Sequence, residues 1–403
     1  MTATAAIRSL PPIWVLALAV SGANVGISLL SPAIPALRAD LMATGDQAQL
    51  VLGVFLVMLG LGQLAAGSIS DRIGRRPVLV YGALLFTLGG LGSLFSTTVE
   101  MLIAMRLIQG LGAAACTAMG RVIISDSFDR AEAGKQLSTI TMFQAIVPLL
   151  GFAFGGILVD FVGWRGSVTL MVITSAVVLV SSHFLVSESR TEKGAPLPIR
   201  KIMGIYAQLL VTQKFIANAS GAALMTAVFF AMGGFMPYHF QQLGSSAFEF
   251  GLFFSACTVG YIFGNNLNRK LGPRYGIDRA ALGGSFLSFI AMSWLTGAAL
   301  LDLAFPMVIS MGLLVYGTGN GLIVANGLIG AIRAAGVHSG AATGLCGALQ
   351  MAGSAVLGSF IVGLGGDVDF KLAMTICWLV VVVGVFGAWQ ALEAPRKLDP
   401  SEQ

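Results

Sequence analysis

Charge is what this sequence has least of. Asp, Glu, Lys and Arg make up 10% of its 403 residues, and hydrophobic residues make up 56%. Soluble domains carry roughly 25% charged residues. A water-soluble fold could not cover this much apolar surface with so few polar groups, so a soluble globular protein is excluded. Cysteine is almost as scarce. Cys116, Cys257, Cys346 and Cys377 all sit inside apolar runs, which speaks for packed small residues and against disulfides or a metal site. The three histidines, His183, His239 and His338, lie far apart and give no metal-ligand spacing. No Ser–His–Asp arrangement and no phosphate-binding Walker loop occurs, so neither enzyme chemistry nor ATP hydrolysis has support. No cofactor and no metal are expected. The alternating apolar and polar segments of a membrane β-barrel are missing as well.

What the sequence has is long apolar runs. A membrane-spanning helix needs about 20 predominantly apolar residues. Twelve such runs begin near residues 12, 49, 77, 100, 136 and 165, and near 214, 247, 279, 303, 340 and 370. The first, from about Ile13 to Ile34, is too long for a signal-peptide core and has no small-residue cleavage site after it, so a retained helix is expected. With the amino terminus inside, inner loops and tails hold eighteen of the 23 lysines and arginines. Outer loops hold Arg38, Arg165 and Lys371, and Arg106 and Arg121 lie within the fourth run. This bias puts both termini in the cytoplasm. It also explains the net charge of +5 without a nucleic-acid partner.

The expected fold is therefore an all-α membrane protein in a lipid bilayer, with twelve transmembrane helices in two six-helix halves, residues 1–188 and 214–403. A cytoplasmic linker region, 189–213, joins them. Across its start runs "SESRTEKGAPLPIRK", Ser187 to Lys201, the longest polar stretch, with the Gly and Pro content of a loop. The halves echo one another. "GSISDRIGRRP" (Gly67 to Pro77) ends the second run and "GNNLNRKLGPRYG" (Gly264 to Gly276) ends the eighth, with Asn268 in the place of Asp71. Internal repeats with a site between them are the plan of secondary transporters.

Inside the runs, polar residues are few. Arg106 comes early in the fourth, and Gln109, Gly110 and Ala113 share its face by helical spacing. A charge deep in a membrane helix costs roughly 2.5–3.5 kcal/mol on insertion scales and is a functional candidate by default. Snorkelling to the outer interface is the alternative. Arg121, nearer the inner end, reads as snorkelling or as a partner of Asp126. Asn24, Ser28, Gln144, Asn218, Tyr261, Tyr316, Asn320, Asn326 and Gln350, with Phe229, Phe230 and Met232, either line a mixed apolar cavity fit for a small molecule or make helix–helix hydrogen bonds. Pro148, Gly151, Gly155 and Gly156 let the fifth run bend and pack closely, a hinge candidate. No acid lies in the middle of a run: Asp126, Asp160, Glu249 and Asp302 fall near run ends. A cavity with Arg106 and no acid disfavours cations, whose desolvation nothing would offset. The expected substrate is neutral or anionic.

These residues carry a resemblance over essentially the whole chain. The signature Gly-x-x-x-Asp-Arg-x-Gly-Arg-Arg stands intact as Gly67, Asp71, Arg72, Gly74, Arg75 and Arg76, and "RLIQGLGAA" supplies Arg106, Gln109, Gly110 and Gly112. "PLLGFAFGG" (Pro148 to Gly156) is similar to the fifth-helix signature of drug exporters, with Phe152 in the place of its second proline. The chain thus resembles the major facilitator superfamily. "VANGLIGAIRAAGVHSGAATGLCGAL" (Val324 to Leu349) looks like the Bcr/CflA group of drug exporters, phenicol pumps among them. The resemblance implies a monomeric secondary active transporter of the bacterial inner membrane. It would export drugs or antibiotics by alternating access in exchange for protons. A dedicated carrier of one metabolite, a sugar or an organic anion, is the alternative. A non-transporting membrane sensor is a third reading. The resemblance also implies a cytoplasmic latch at the signature loop. In it Asp71 meets the amino end of a neighbouring helix and an arginine, and a second acid, Asp126, pairs with Arg75. It further implies that Arg106 faces the cavity near proton coupling. Where many members carry an acid in the first helix, this chain has Ser28.

Overall fold

A computed structural model describes residues 10–190, 199–364 and 369–393. Among them every regular element is helical. The first apolar run is not one helix. It forms α1 (Ile13–Ser28), a 3-10 turn at Ser31–Ala33 and α2 (Ile34–Asp40), because Pro32 and Pro35 remove two backbone donors in succession. Then follow α3 (Gly45–Ile73), α4 (Arg75–Leu94), α5 (Val99–Ser127), α6 (Arg130–Val162) and α7 (Trp164–Leu185). The short α8 (Ile199–Val211) lies within the stretch read as linker. The second series is α9 (Gln213–Gln242), α10 (Ala247–Tyr275), α11 (Ile277–Leu300), α12 (Pro306–Ala335), α13 (Ser339–Gly363) and α14 (Phe370–Glu393). Among the described residues, eleven apolar stretches are long enough to cross a membrane, and one of them, Pro306–Gly363, runs for 58 residues. It holds both α12 and α13, parted by a 3-10 turn at Gly336–His338, which gives twelve crossing helices.

Local chemistry sets the helix ends. Thr44 and Gln47 form a reciprocal capping box at the start of α3, and Asp129 accepts from the backbone of Ala131 and Glu132 at the start of α6. Such caps satisfy amide groups that have no partner within the helix. The signature loop and its echo turn alike. Gly74, at φ 106°, separates α3 from α4, and Gly276, at φ 83°, separates α10 from α11. A side chain would be strained at either place.

The described residues divide into two compact units. One takes residues up to 190, Met232–Ser255 and 358–364; the other takes 199–231, Ala256–Leu357 and 369–393. The first unit has two apolar clusters along α5. One gathers Leu16, Val20, Leu79, Met119 and Ile123, and the other Leu30, Ile34, Val51, Leu102 and Met171. Between them α5 is pressed against its neighbours through glycine. A Cβ on Gly110 would stand 2.7 Å from the Phe55 carbonyl oxygen of α3, and one on Gly112 would lie 2.5 Å from the Gly82 carbonyl oxygen of α4. In the second unit α12 does the same, with Gly317 and Gly321 against the α10 backbone. Small residues that let backbones approach are the means by which membrane helices associate.

Candidate functional site

The signature loop builds a charged cluster where α3 ends and α4 begins. Arg75 is its centre. Its guanidinium donates to Asp71 Oδ1 at 2.8 Å, to Asp126 Oδ2 at 3.1 Å and to Ser70 Oγ. The Arg75 side chain is 15% exposed and that of Asp71 is 45% exposed, so the cluster is half in water. Two members were not foreseen from the sequence, because both lie in the polar stretch where the first half gives way to the linker. Arg190 donates to Asp71 Oδ1. Glu188 accepts from the backbone N–H groups of Arg75 and Arg76, at 2.9 and 3.2 Å. The acid at a helix amino end is therefore Glu188, on α4, where the resemblance implied Asp71. The physics is the same, since a carboxylate is favoured at amide groups lacking helical partners. Arg76 reaches the His183 carbonyl at 2.6 Å, and Arg72 is exposed. Gly67 has nothing within 4 Å of where its Cβ would be, so this conformation does not require a glycine there.

Arg106 is enclosed. It is 1% exposed, with Gln109 at 0%, so in this conformation it reaches no open surface. Its Nη2 donates to the Gly26 carbonyl at 2.8 Å, its Nε to the Val51 carbonyl at 3.2 Å and its Nη1 to Gln109 Oε1 at 2.5 Å. The Phe55 ring lies 4.1 Å from the guanidinium carbon, within cation–π range. The break after α1 creates this acceptor. Leu30 donates to Ile27 at 3.2 Å, which leaves the Gly26 carbonyl to the arginine. Gln109 Nε2 is buried without a partner.

A second polar group runs along α1, α5 and α6. Asn24 donates to the Gln144 carbonyl at 2.8 Å, Ser28 to the Asn24 carbonyl at 2.7 Å, and Arg121 to Gln144 Oε1 at 3.0 Å. Asn24 and Gln144 are half-buried and Arg121 is exposed. The sequence reading gave Arg121 either water or Asp126; the structure puts it in this row, because Gln144 comes level with it on α6. Ser28 faces Gly151, and Gly155 lies over Leu29, where a Cβ would be 2.7 Å from its carbonyl oxygen. Gly156 lies against Ala247 at the start of α10. There Asp160 accepts from the backbone of Ala247 at 3.1 Å and of Phe248 at 2.9 Å. Phe152, four positions after Pro148, packs edge-on to Phe254 at 4.8 Å.

The remaining candidates belong to the second unit. Asn326 and Asn268 exchange hydrogen bonds at 2.7 and 3.3 Å, so the echo of Asp71 makes an amide pair where the first copy makes ion pairs. Asn320 is 6% exposed and its Oδ1 has no partner. Tyr316 is buried and donates to the Met225 carbonyl at 2.7 Å. Asn218 donates within its own helix, Tyr261 accepts from Asn265 through its carbonyl, and the half-buried Gln350 accepts from Ser354 in the same way. No group of three or more His, Cys, Asp or Glu among the described residues could hold a metal.

Comparison with known proteins agrees with this architecture. The family model described as Major Facilitator Superfamily matches residues 16–358. A bicyclomycin resistance protein homolog of Haemophilus influenzae is 26% identical over 89% of this chain and 90% of its own. A chloramphenicol resistance protein of Pseudomonas aeruginosa is 26% identical over 68% of this chain and 70% of its own. The multidrug transporter MdfA of Yersinia pestis is 26% identical over 82% of this chain and 81% of its own. Among solved structures, a D-xylose-proton symporter superposes with a TM-score of 0.73 at 17% identity, covering 94% of this chain and 97% of its own.

Proposed function

The chain belongs to the major facilitator superfamily, and from that premise we propose that it exports small neutral or anionic drugs of the phenicol kind from the cytoplasm, by alternating access, in exchange for protons. The observation that carries the charge preference is where the acids are. Among the described residues every Asp and Glu stands at a helix end or in a loop. The enclosed cation, Arg106, meets carbonyl and amide oxygens and the Phe55 ring, with no carboxylate in an ion pair with it among the described residues. A cationic drug in such an interior would find no counter-charge to offset its lost hydration. A neutral or anionic one meets Asn24, Gln144 and Arg121 along an accessible row. The names of the relatives, resistance proteins for bicyclomycin and chloramphenicol, support the same substrate class.

The moving parts on this reading are the two sequence halves, 1–188 and 214–403, joined by 189–213. The Arg75 cluster is the cytoplasmic latch. The Asp160 cap on α10 is its counterpart at the other end. Each is a set of charge-assisted bonds that one conformation makes and another breaks, which is what a two-state element requires. The test is growth inhibition in a bacterium stripped of its own pumps, expressing the protein, Asp71→Asn or Glu188→Gln. Resistance to phenicols that a protonophore abolishes and both variants lose is the expected result. Arg106-dependent export of a quaternary ammonium dye would overturn the charge preference. Resistance to nothing, with the protein present in the membrane, would favour a carrier of one metabolite.

A further inference from the structure

α8 is 13 residues long, too short to cross a bilayer. It stands between α7, which ends at Leu185, and α9, which starts at Gln213. Both neighbours are long and apolar enough to span, so α8 connects two candidate crossings. The chain turns into α9 at Thr212, whose hydroxyl donates to the Gln208 carbonyl at 2.8 Å and whose N–H donates to that of Leu209 at 3.0 Å.

Helical spacing sorts α8 into three sectors. Ile205, Tyr206 and Leu209 face the protein. Leu209 is 4% exposed and packs in one cluster with Phe215 of α9, Ala331 and Ala335 of α12, and Ala342 and Leu345 of α13. Met203, Ala207 and Leu210 form a second apolar sector that the protein leaves uncovered, with Met203 59% and Leu210 44% exposed. Arg200, Lys201 and Gln208 are exposed and make the third. No ion pair among the described residues engages Arg200 or Lys201. An uncovered apolar sector flanked by a basic one, on a short helix between two candidate crossings, is the arrangement of an interfacial helix.

We propose that α8 lies in the membrane surface and binds anionic phospholipid headgroups through Arg200 and Lys201. Its Met203–Leu210 face enters the boundary between headgroups and acyl chains. Its Leu209 face is anchored where α12 turns into α13, so that a lipid held by α8 is coupled to that turn. Basic residues near an anionic surface contribute about 1 kcal/mol each. Removing both is expected to weaken headgroup binding roughly thirty-fold.

The test uses the full chain in lipid nanodiscs of phosphatidylcholine, with and without phosphatidylglycerol. A nitroxide is placed at Met203→Cys or, separately, at Leu210→Cys; the native cysteines are buried. Both labels are expected to meet dissolved oxygen more readily than a water-soluble nickel chelate. Native mass spectrometry is expected to show phosphatidylglycerol retained by the parent and by Lys135→Gln, a change at an exposed basic residue on α6, and lost from Arg200→Gln/Lys201→Gln. Labels open to the chelate would place α8 in water and overturn the proposal. Labels shielded from both reagents would mean that another protein surface, such as a second copy of the chain, covers the face. Phosphatidylglycerol bound equally by the double variant would remove the headgroup site. No step here uses transport, so a failed growth panel leaves this inference standing, and the reverse holds too.

Discussion

At the scale of single residues, Arg106 shows how position changes a reading. A guanidinium has five donors in a fixed plane, and here three different elements use them: α1 through Gly26, α3 through Val51, and α5 itself through Gln109. In this conformation it ties the broken first helix to its neighbours. Arg106→Lys keeps the charge but not the plane, and so is expected to fail as well as Arg106→Met. Each buried acceptor left without its donor costs about 1–3 kcal/mol. Thermal melting in detergent should fall in both variants, together with resistance. Normal melting with lost resistance would show instead that Arg106 acts in coupling alone.

At the scale of elements, glycine marks where helices touch. A Cβ on Gly112 would come against backbone atoms of α4, whereas Gly67 has open space around it. Gly112→Ala is therefore expected to destabilise by about 1–3 kcal/mol, the range for overpacking, and Gly67→Ala to leave the melting temperature unchanged. Export lost in Gly67→Ala at full stability would report another conformation that covers this face. Equal melting of both variants would sink the packing argument. The cap at α10 makes a second prediction. Removing a capping carboxylate costs about 1 kcal/mol, roughly a fivefold shift in a two-state equilibrium. Asp160→Ala should thus raise alkylation of Ser31→Cys about fivefold, since Ser31 is fully buried and donates to the Gly233 carbonyl in the same unit. Unchanged labelling would make Asp160 a cap and nothing more.

At the scale of the whole molecule, basic loops predict orientation. Eighteen of 23 lysines and arginines fall on one side of a twelve-helix frame, and this bias sets topology at insertion. A fluorescent protein fused at the carboxyl terminus is expected to glow, and alkaline phosphatase fused there to stay inactive, because both termini are cytoplasmic on this reading. Active phosphatase would invert the frame and exchange the two ends in the transport cycle. The helix frame itself was legible. Runs read as starting near 12, 165, 214, 247 and 370 begin in the structure at 13, 164, 213, 247 and 370. Run starts at 49 and 136 missed by a few residues, because Thr44 and Asp129 cap their helices earlier, at 45 and 130.

The sequence by itself determined the bilayer as solvent and the number of crossings. These follow from composition, length and spacing, which act locally and need no partner. Tertiary structure decided the partners. It brought Glu188 and Arg190 to the signature loop across more than a hundred positions of chain, set Arg121 beside Gln144, and closed α1, α3 and Phe55 around Arg106. A buried polar group takes whichever acceptor folding leaves free, and the Gly26 carbonyl became free only because α1 breaks where it does.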